Sequence, residues 1–339
     1  MRATALALLL ALPASAAGPV EVRMAFVGDS GTGDDEQRAV AAQMAKLKPS
    51  LVFLLGDNIY DRGSRASIKS RFDDPYRELL RGGAQFHAAL GNHDVLWCEA
   101  RERDPLPADG SAYARLALPC DVQFQLSHPD FGYVGGRRYY SVVSDSSPQP
   151  MVEVFVLDSN TLATSQSKLH GLRQDRAQLE WLEKSLAASR ARWKVVTMHH
   201  PPHSPTTPLK YFWIVPLGGG RTREFRLDLQ LSSILRSGGV DVVFTGHNHF
   251  YARMVPQNGI RYFVSGGGGK KVYGFESRPD YVAAGGGFFH FVYVRATEGA
   301  FEWYTIDDKG ASRDAGWFGK GSVADMAFPS GTLPPPAAP

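Results

Sequence analysis

Residues 54–63 read LLGDNIYDRG. An apolar run, SLVFLL (50–55), ends in Gly56, then comes Asp57 and, three residues past it, Tyr60. Alone, such a stretch is a buried strand stopping at a turn, its aspartate accepting backbone N–H groups. The same grammar recurs at four more places: Asp29 in FVGDSG (26–31), Asn92 and His93 in LGNHD (90–94), His199 and His200 in VVTMHHPP (195–202), His247 and His249 in FTGHNH (244–249). Each has an apolar strand, often a small residue, and then a side chain able to bind a metal. Residues just past the carboxyl ends of strands in α/β folds converge in one crevice. The five junctions are therefore expected to build one site.

The segments between them fit that architecture. Strand patterns at 20–33, 50–57, 85–94, 193–200 and 240–249 alternate with helical ones at 34–47, 67–80, 174–189 and 225–239. In the third helix Leu179, Leu182 and Leu186 are spaced for one face. Residues 95–135 carry no clear period and read as loop with short pieces. RRYYSVVS (137–144) and MVEVFVLDS (151–159) read as hairpin partners, and IRYFVSGG (260–267), FFHFVYVRAT (288–297) and AFEWYTID (300–307) as late strands. The expected fold is α/β: a four-layer α/β/β/α sandwich of two packed mixed sheets with flanking helices. One domain is expected over 18–308, followed by a C-terminal extension, 309–339, with a Pro-rich, disordered end.

The chain has 339 residues, 21% of them charged, and a net charge of +3. Its Lys and Arg are scattered, which argues against a nucleic-acid partner. Residues 1–17 have an early Arg, an apolar stretch from Ala5 to Leu12 and small residues at Ala14, Ser15 and Ala16. They read as a signal peptide, too short to span a bilayer, and imply a secreted or periplasmic protein. No later segment is apolar for eighteen residues, so no stable membrane association is expected. Cys98 and Cys120 either bridge and pin one irregular loop or remain separate thiols; export favours the bridge.

The site offers two carboxylates, a phenol, an amide oxygen and at least three imidazoles, with no thiolate. That set suits iron, manganese or zinc at higher coordination rather than a structural zinc. Seven ligands exceed one tetrahedral ion and match two ions if one carboxylate bridges them.

The ordered set GDSG, GDNIY, GNHD, MHHPP and GHNH resembles the calcineurin-like metallophosphoesterase superfamily, over roughly residues 20–270. Within it the chain is similar to the purple acid phosphatases, especially the small mammalian tartrate-resistant type. Most metallophosphoesterases carry a His two residues after the first aspartate; here Gly31 stands there, and Tyr60 completes the Asp-x-x-Tyr arrangement of the purple enzymes. The resemblance implies Fe(III) held by Asp29, Tyr60 and His249, a divalent ion (Fe, Zn or Mn) held by Asn92, His199 and His247, and Asp57 bridging. His199 is matched to the ligand position and His200 to an aromatic residue of relatives.

The resemblance further implies an acid phosphatase attacking phosphate monoesters, on small phosphorylated molecules or phosphopeptides, with metal-bound hydroxide. His93 is the first candidate for protonating the leaving group, with Asp94 orienting it. Small relatives carry a further His where this chain has Pro208, and either His200 or His203 is expected to replace it. Residues 208–225 look like a lid or substrate wall. A phosphodiesterase on nucleotides or lipid headgroups, and a non-catalytic metal- or phosphate-binding protein, remain as other readings. Oligomeric state is left open.

Overall fold

In the computed structural model the described residues are 21–95, 120–163, 175–205, 216–217, 221–222, 227–275 and 278–336. The first two strands are short apolar runs buried on both faces, and the third lies at the sheet edge with Gln85 exposed and His87 half-buried. They are β1 (Val22–Val27), β2 (Leu51–Leu54) and β3 (Gln85–Ala88), paired in parallel with Met24 opposite Leu51 and Leu51 opposite Gln85. The middle of the chain supplies β4 (Tyr140–Val143), β5 (Val152–Val156), β6 (Trp193–Met198), the two-residue pair β7 (Pro216–Leu217) and β8 (Arg221–Thr222), then β9 (Val242–Thr245), β10 (Tyr251–Met254), β11 (Arg261–Ser265) and β12 (Val282–Gly286). The remainder gives β13 (His290–Ala296), β14 (Phe301–Asp307), β15 (Ser312–Phe318) and β16 (Met326–Ala327).

These strands form two seven-stranded mixed sheets, ordered β16-β15-β14-β13-β1-β2-β3 and β12-β10-β11-β9-β6-β5-β4. They face each other across an aromatic core in which the Phe26 and Phe244 rings stack 3.9 Å apart. The outer face of the first sheet is covered by α1 (Asp35–Leu47), whose Val40 and Met44 are fully buried. Asp34 caps α1 by accepting from the Gln37 N–H, and Asp35 and Glu36 suit its positive end. The second sheet is covered by α2 (Arg176–Ala188) and α3 (Leu227–Ser237). Leu182 and Leu186 of α2 are buried with Leu227, Leu231 and Leu235 of α3, and Leu179 is packed at the edge. The four-layer sandwich is as expected, and 137–159 forms the expected hairpin.

Two expectations change. The helix expected at 67–80 is broken into a turn at Arg65–Ser67, a wide five-residue turn at Lys69–Asp73 and a short helix at Arg77–Arg81. Pro75 has no N–H to continue the ladder. The C-terminal extension is also not separate through its described part. β15 zips along all of β14, β16 pairs with β15, and the Pro335 and Pro336 carbonyls accept from Arg23 Nη1 and Nη2 at 3.0 and 2.7 Å. Proline lacks an N–H but keeps its carbonyl, so a Pro run can still be tied down as an acceptor. The signal peptide, Cys98 with its bridge to Cys120, and all of the 208–225 lid except β7 and β8 fall outside the described residues.

Candidate metal centre

Strands β1, β2, β3, β6 and β9 all run in parallel with a neighbour, and each delivers its ligand just past its carboxyl end: Asp29, Asp57, Asn92, His199, and His247 with His249. Three of these residues turn into the site through left-handed backbone, with φ of 58° at Asp29, 55° at Asp57 and 69° at His247. Non-glycine residues adopt that region reluctantly and hold it where the surroundings impose it. Glycine allows the tightest approach: a Cβ on Gly91 would lie 2.2 Å from Asp57 Oδ1.

The seven predicted ligands fall into two groups joined at Asp57. In the first, the Tyr60 hydroxyl lies 3.1 Å from Asp29 Oδ1 and 3.2 Å from His249 Nε2, which is 3.4 Å from Asp29 Oδ1. In the second, Asn92 Oδ1 lies 2.9 Å from His199 Nε2 and 3.0 Å from His247 Nδ1, and those two nitrogens are 3.2 Å apart. Asp57 Oδ1 sits 3.4 Å from His199 Nε2, and Asp29, Asp57 and His199 converge closely enough for one ion.

The protonation of these rings tests whether the groups fit a cation. His199 Nδ1 is 2.9 Å from the Leu55 carbonyl and His249 Nδ1 is 3.1 Å from the Lys271 carbonyl. A carbonyl only accepts, so each Nδ1 carries the proton and each Nε2 presents its lone pair inward. His199 Nε2 thus faces an amide oxygen and a carboxylate oxygen, and the single N–H of His247 can relieve only one such contact. Converged acceptors of this kind fit a metal ion, and histidines anchored through the far nitrogen are how proteins orient metal ligands.

Electrostatics agree. Burial, then Asp29 and Asp57, push the Tyr60 phenol well above its ordinary range, so a phenolate there needs a cation. Burial, then His200 and His199, hold His247 well below its usual value, keeping it a neutral donor. At His249 burial pulls the value down, but the Asp29 carboxylate outweighs it and raises it, so a proton and a metal ion compete for the same Nε2.

The outer residues differ more from expectation. His93 lies against the Tyr60 ring, centroids 4.7 Å apart. Its Nδ1 is 2.7 Å from the Asp61 carbonyl, so Asp94 does not orient it. Asp94 is buried and instead accepts from the N–H groups of Asn58, Ile59 and Gly91 and from Gln125 Nε2. It clamps the loop that carries Asp57 and Tyr60. Burial and the nearby Asp57 raise its pKa to about 6 in spite of those donors. His200 packs 4.5 Å from the His247 ring and its Nδ1 is 2.9 Å from Ser159 Oγ, which places it beside the second group. His203 packs edge-on against Tyr262 and belongs to neither ligand group.

Sequence reasoning missed Ser159, Asp61 and the glycine run 266–269, whose backbone packs on the Asp29 loop. The run itself was the available signal.

The sequence profile of the calcineurin-like phosphoesterase family matches residues 22–251. Purple acid phosphatase 17 of Arabidopsis thaliana is 28% identical over 288 residues, 79% of this chain and 73% of its own. Human tartrate-resistant acid phosphatase type 5 is 26% identical over 286 residues, 77% of each chain. Among solved structures, purple acid phosphatase PPD1 from yellow lupin seeds shares the fold with a TM-score of 0.63 at 20% identity, over 94% of this chain and 58% of that one.

Proposed function

From a chain that belongs to the calcineurin-like phosphoesterase family, and is thus a metal-dependent phosphoric ester hydrolase similar to named acid phosphatases, we propose the finer activity: a secreted or periplasmic acid phosphatase acting on phosphate monoesters with one Fe(III) and one divalent ion, Fe, Zn or Mn. The observation that carries this reading is the pair of acceptor groups sharing Asp57, one of which contains a phenol. A phenolate is a hard anionic donor suited to a trivalent ion, whereas the amide and two imidazoles of the other group suit a divalent one. Asp29, Tyr60 and His249 would hold the iron, Asn92, His199 and His247 the second ion, and Asp57 both. Such a pair supplies Lewis acidity to a phosphate oxygen and makes water nucleophilic at acid pH.

The chain's own groups do the rest. The His93 backbone N–H donates to Asp57 Oδ1 at 2.9 Å and fixes that carboxylate. The His93 side chain, its Nδ1–H anchored on the Asp61 carbonyl, would give the leaving alkoxide the second proton, held on Nε2 in the imidazolium form, and be left neutral. Asp94 holds the Asp57–Tyr60 loop in register. Small phosphorylated molecules or phosphopeptides are the substrates of this reading, with no nucleic acid partner. Among the described residues no helix is long and apolar enough to cross a membrane. Export rests on residues 1–17, and an exported chain starting near Gly18 by mass spectrometry is its check.

The test is the visible spectrum of the purified, oxidised, iron-replete protein beside Tyr60→Phe, with p-nitrophenyl phosphate hydrolysis at acid pH before and after chelation. A broad band lost in the mutant, with hydrolysis lost on chelation, supports the reading. A colourless but active parent overturns the iron–tyrosinate assignment, and a metal-replete protein without hydrolysis overturns the phosphatase.

A further inference from the structure

The run Gly266–Gly269 leaves β11 and packs directly on the loop that carries Asp29. A Cβ at Gly266 would lie 2.7 Å from Asp29 Oδ2, and one at Gly268 would lie 2.5 Å from the Gly28 carbonyl oxygen. Only glycine lets the two backbones meet so closely. The contact is hydrogen bonded: the Gly268 N–H donates to the Gly28 carbonyl and the Lys270 N–H to the Asp29 carbonyl, both at 2.9 Å. One residue on, the Lys271 carbonyl anchors His249 Nδ1. The loop therefore holds two members of the tyrosine-containing group through its backbone.

It reaches the third through a side chain. Lys270 Nζ lies 4.4 Å from the centroid of the Tyr60 ring, a cation–π contact. The same ammonium is 3.0 Å from Asp61 Oδ1. The Lys270 side chain is 35% exposed and that of Asp61 69%, so this ion pair adds little to fold stability. What the pair does have is position: a positive charge over the phenol ring of the site, with a tethered counter-charge beside it.

We propose that Lys270 is a positioning residue that tunes Tyr60 as an iron ligand, its ammonium drawing electron density from the phenolate ring and Asp61 limiting how strongly it does so. The inference rests on the Fe(III)–tyrosinate reading above. Positive charge over the ring lowers the filled phenolate orbitals from which charge transfer to iron starts, so the visible transition moves to shorter wavelength. Weaker phenolate donation also favours Fe(II) over Fe(III) and raises the reduction potential.

The test compares iron-loaded parent, Lys270→Met, Lys270→Arg and Asp61→Asn at equal measured iron content, by visible absorption and by redox titration. Lys270→Met is expected to move the band to longer wavelength and lower the potential. Lys270→Arg, which keeps the cation, stays near the parent. Asp61→Asn, which strips the counter-charge but keeps the carbonyl that anchors His93, moves the band to shorter wavelength. Shifts of opposite sign from the two halves of one ion pair are the signature of charge. A parent band that stays put in both Lys270→Met and Asp61→Asn, or moves the same way in both, overturns the tuning role and leaves the iron–tyrosinate reading intact. A parent with no band overturns that reading and this inference with it.

Discussion

Asn92 Oδ1 lies 2.9 Å from His199 Nε2, and neither atom has a proton for the other. The ring's one proton is committed to the Leu55 carbonyl at Nδ1. A buried acceptor and a half-buried one in contact repel, an arrangement that a cation converts from a liability into a binding site.

Metal removal should therefore lower stability as well as activity. An ion at 100 times its dissociation constant contributes about 2.7 kcal/mol to the folded state. Calorimetry of the chelated protein is expected to show a lower melting temperature that iron plus zinc restores. Identical melting with and without metal would mean the converged ligands hold nothing.

The two groups should also empty separately. His199→Ala removes a donor from the Asn92 group only, so it is expected to lose the divalent ion while keeping iron and the visible band. His249→Ala takes a donor from the Tyr60 group and is expected to lose the iron. Elemental analysis of both variants decides it; equal loss of both ions from either would refute the assignment of separate groups.

If His93 protonates the leaving group, the penalty for removing it depends on how much help that group needs. His93→Asn is expected to slow alkyl phosphates about 100-fold in kcat or more. p-Nitrophenyl phosphate, whose phenolate departs unaided, should slow much less. An equal loss on both substrates would reassign the ring to a positioning role, packed on Tyr60 and anchored to the Asp61 carbonyl.

The five junctions were legible because each parallel strand ends its apolar run where the chain leaves the core, so Asp29, Asp57, Asn92, His199 and His247 each stand out locally. What depends on partners distant in sequence was not. Asp94 neighbours His93, but successive residues on a helical turn point apart, and its partners Asn58, Ile59 and Gln125 lie about thirty residues away. His203 and Tyr262 meet only once β11 is in place. β15 was hidden because SRDAGWF turns an aspartate largely away from solvent, a pattern that makes sense only when Arg253 crosses from the other sheet.

That crossing carries a stability prediction. Asp314 Oδ2 accepts from Arg253 Nε at 2.7 Å, Tyr251 Oη at 2.6 Å and Trp303 Nε1 at 3.1 Å, linking β10 to β14 and β15. Removing Asp314 leaves Arg253 with Asp325 as its remaining carboxylate, so the cost stays below the roughly 3–5 kcal/mol of a fully buried pair stripped of one partner. Asp314→Ala should lower the urea midpoint accordingly, although it lies outside both ligand groups. A shift worth less than about 1 kcal/mol would place this network among the weak surface pairs.

Acid itself should weaken the fold through His290. Burial holds this histidine to about 4 against an ordinary 6.5, although its Nδ1 is 2.8 Å from the Phe288 carbonyl and Asp307 lies near. Between those values the unfolded chain binds a proton there and the folded chain does not. Stability is thus complete above pH 6.5 and lost as pH falls toward 4, by on the order of 3 kcal/mol. Urea unfolding of the parent at pH 7 and pH 4.5 should show that loss. His290→Gln, weaker at pH 7 because a buried ring is replaced, should lose less between the two. Parallel losses in parent and variant would mean that this histidine is not what acid attacks.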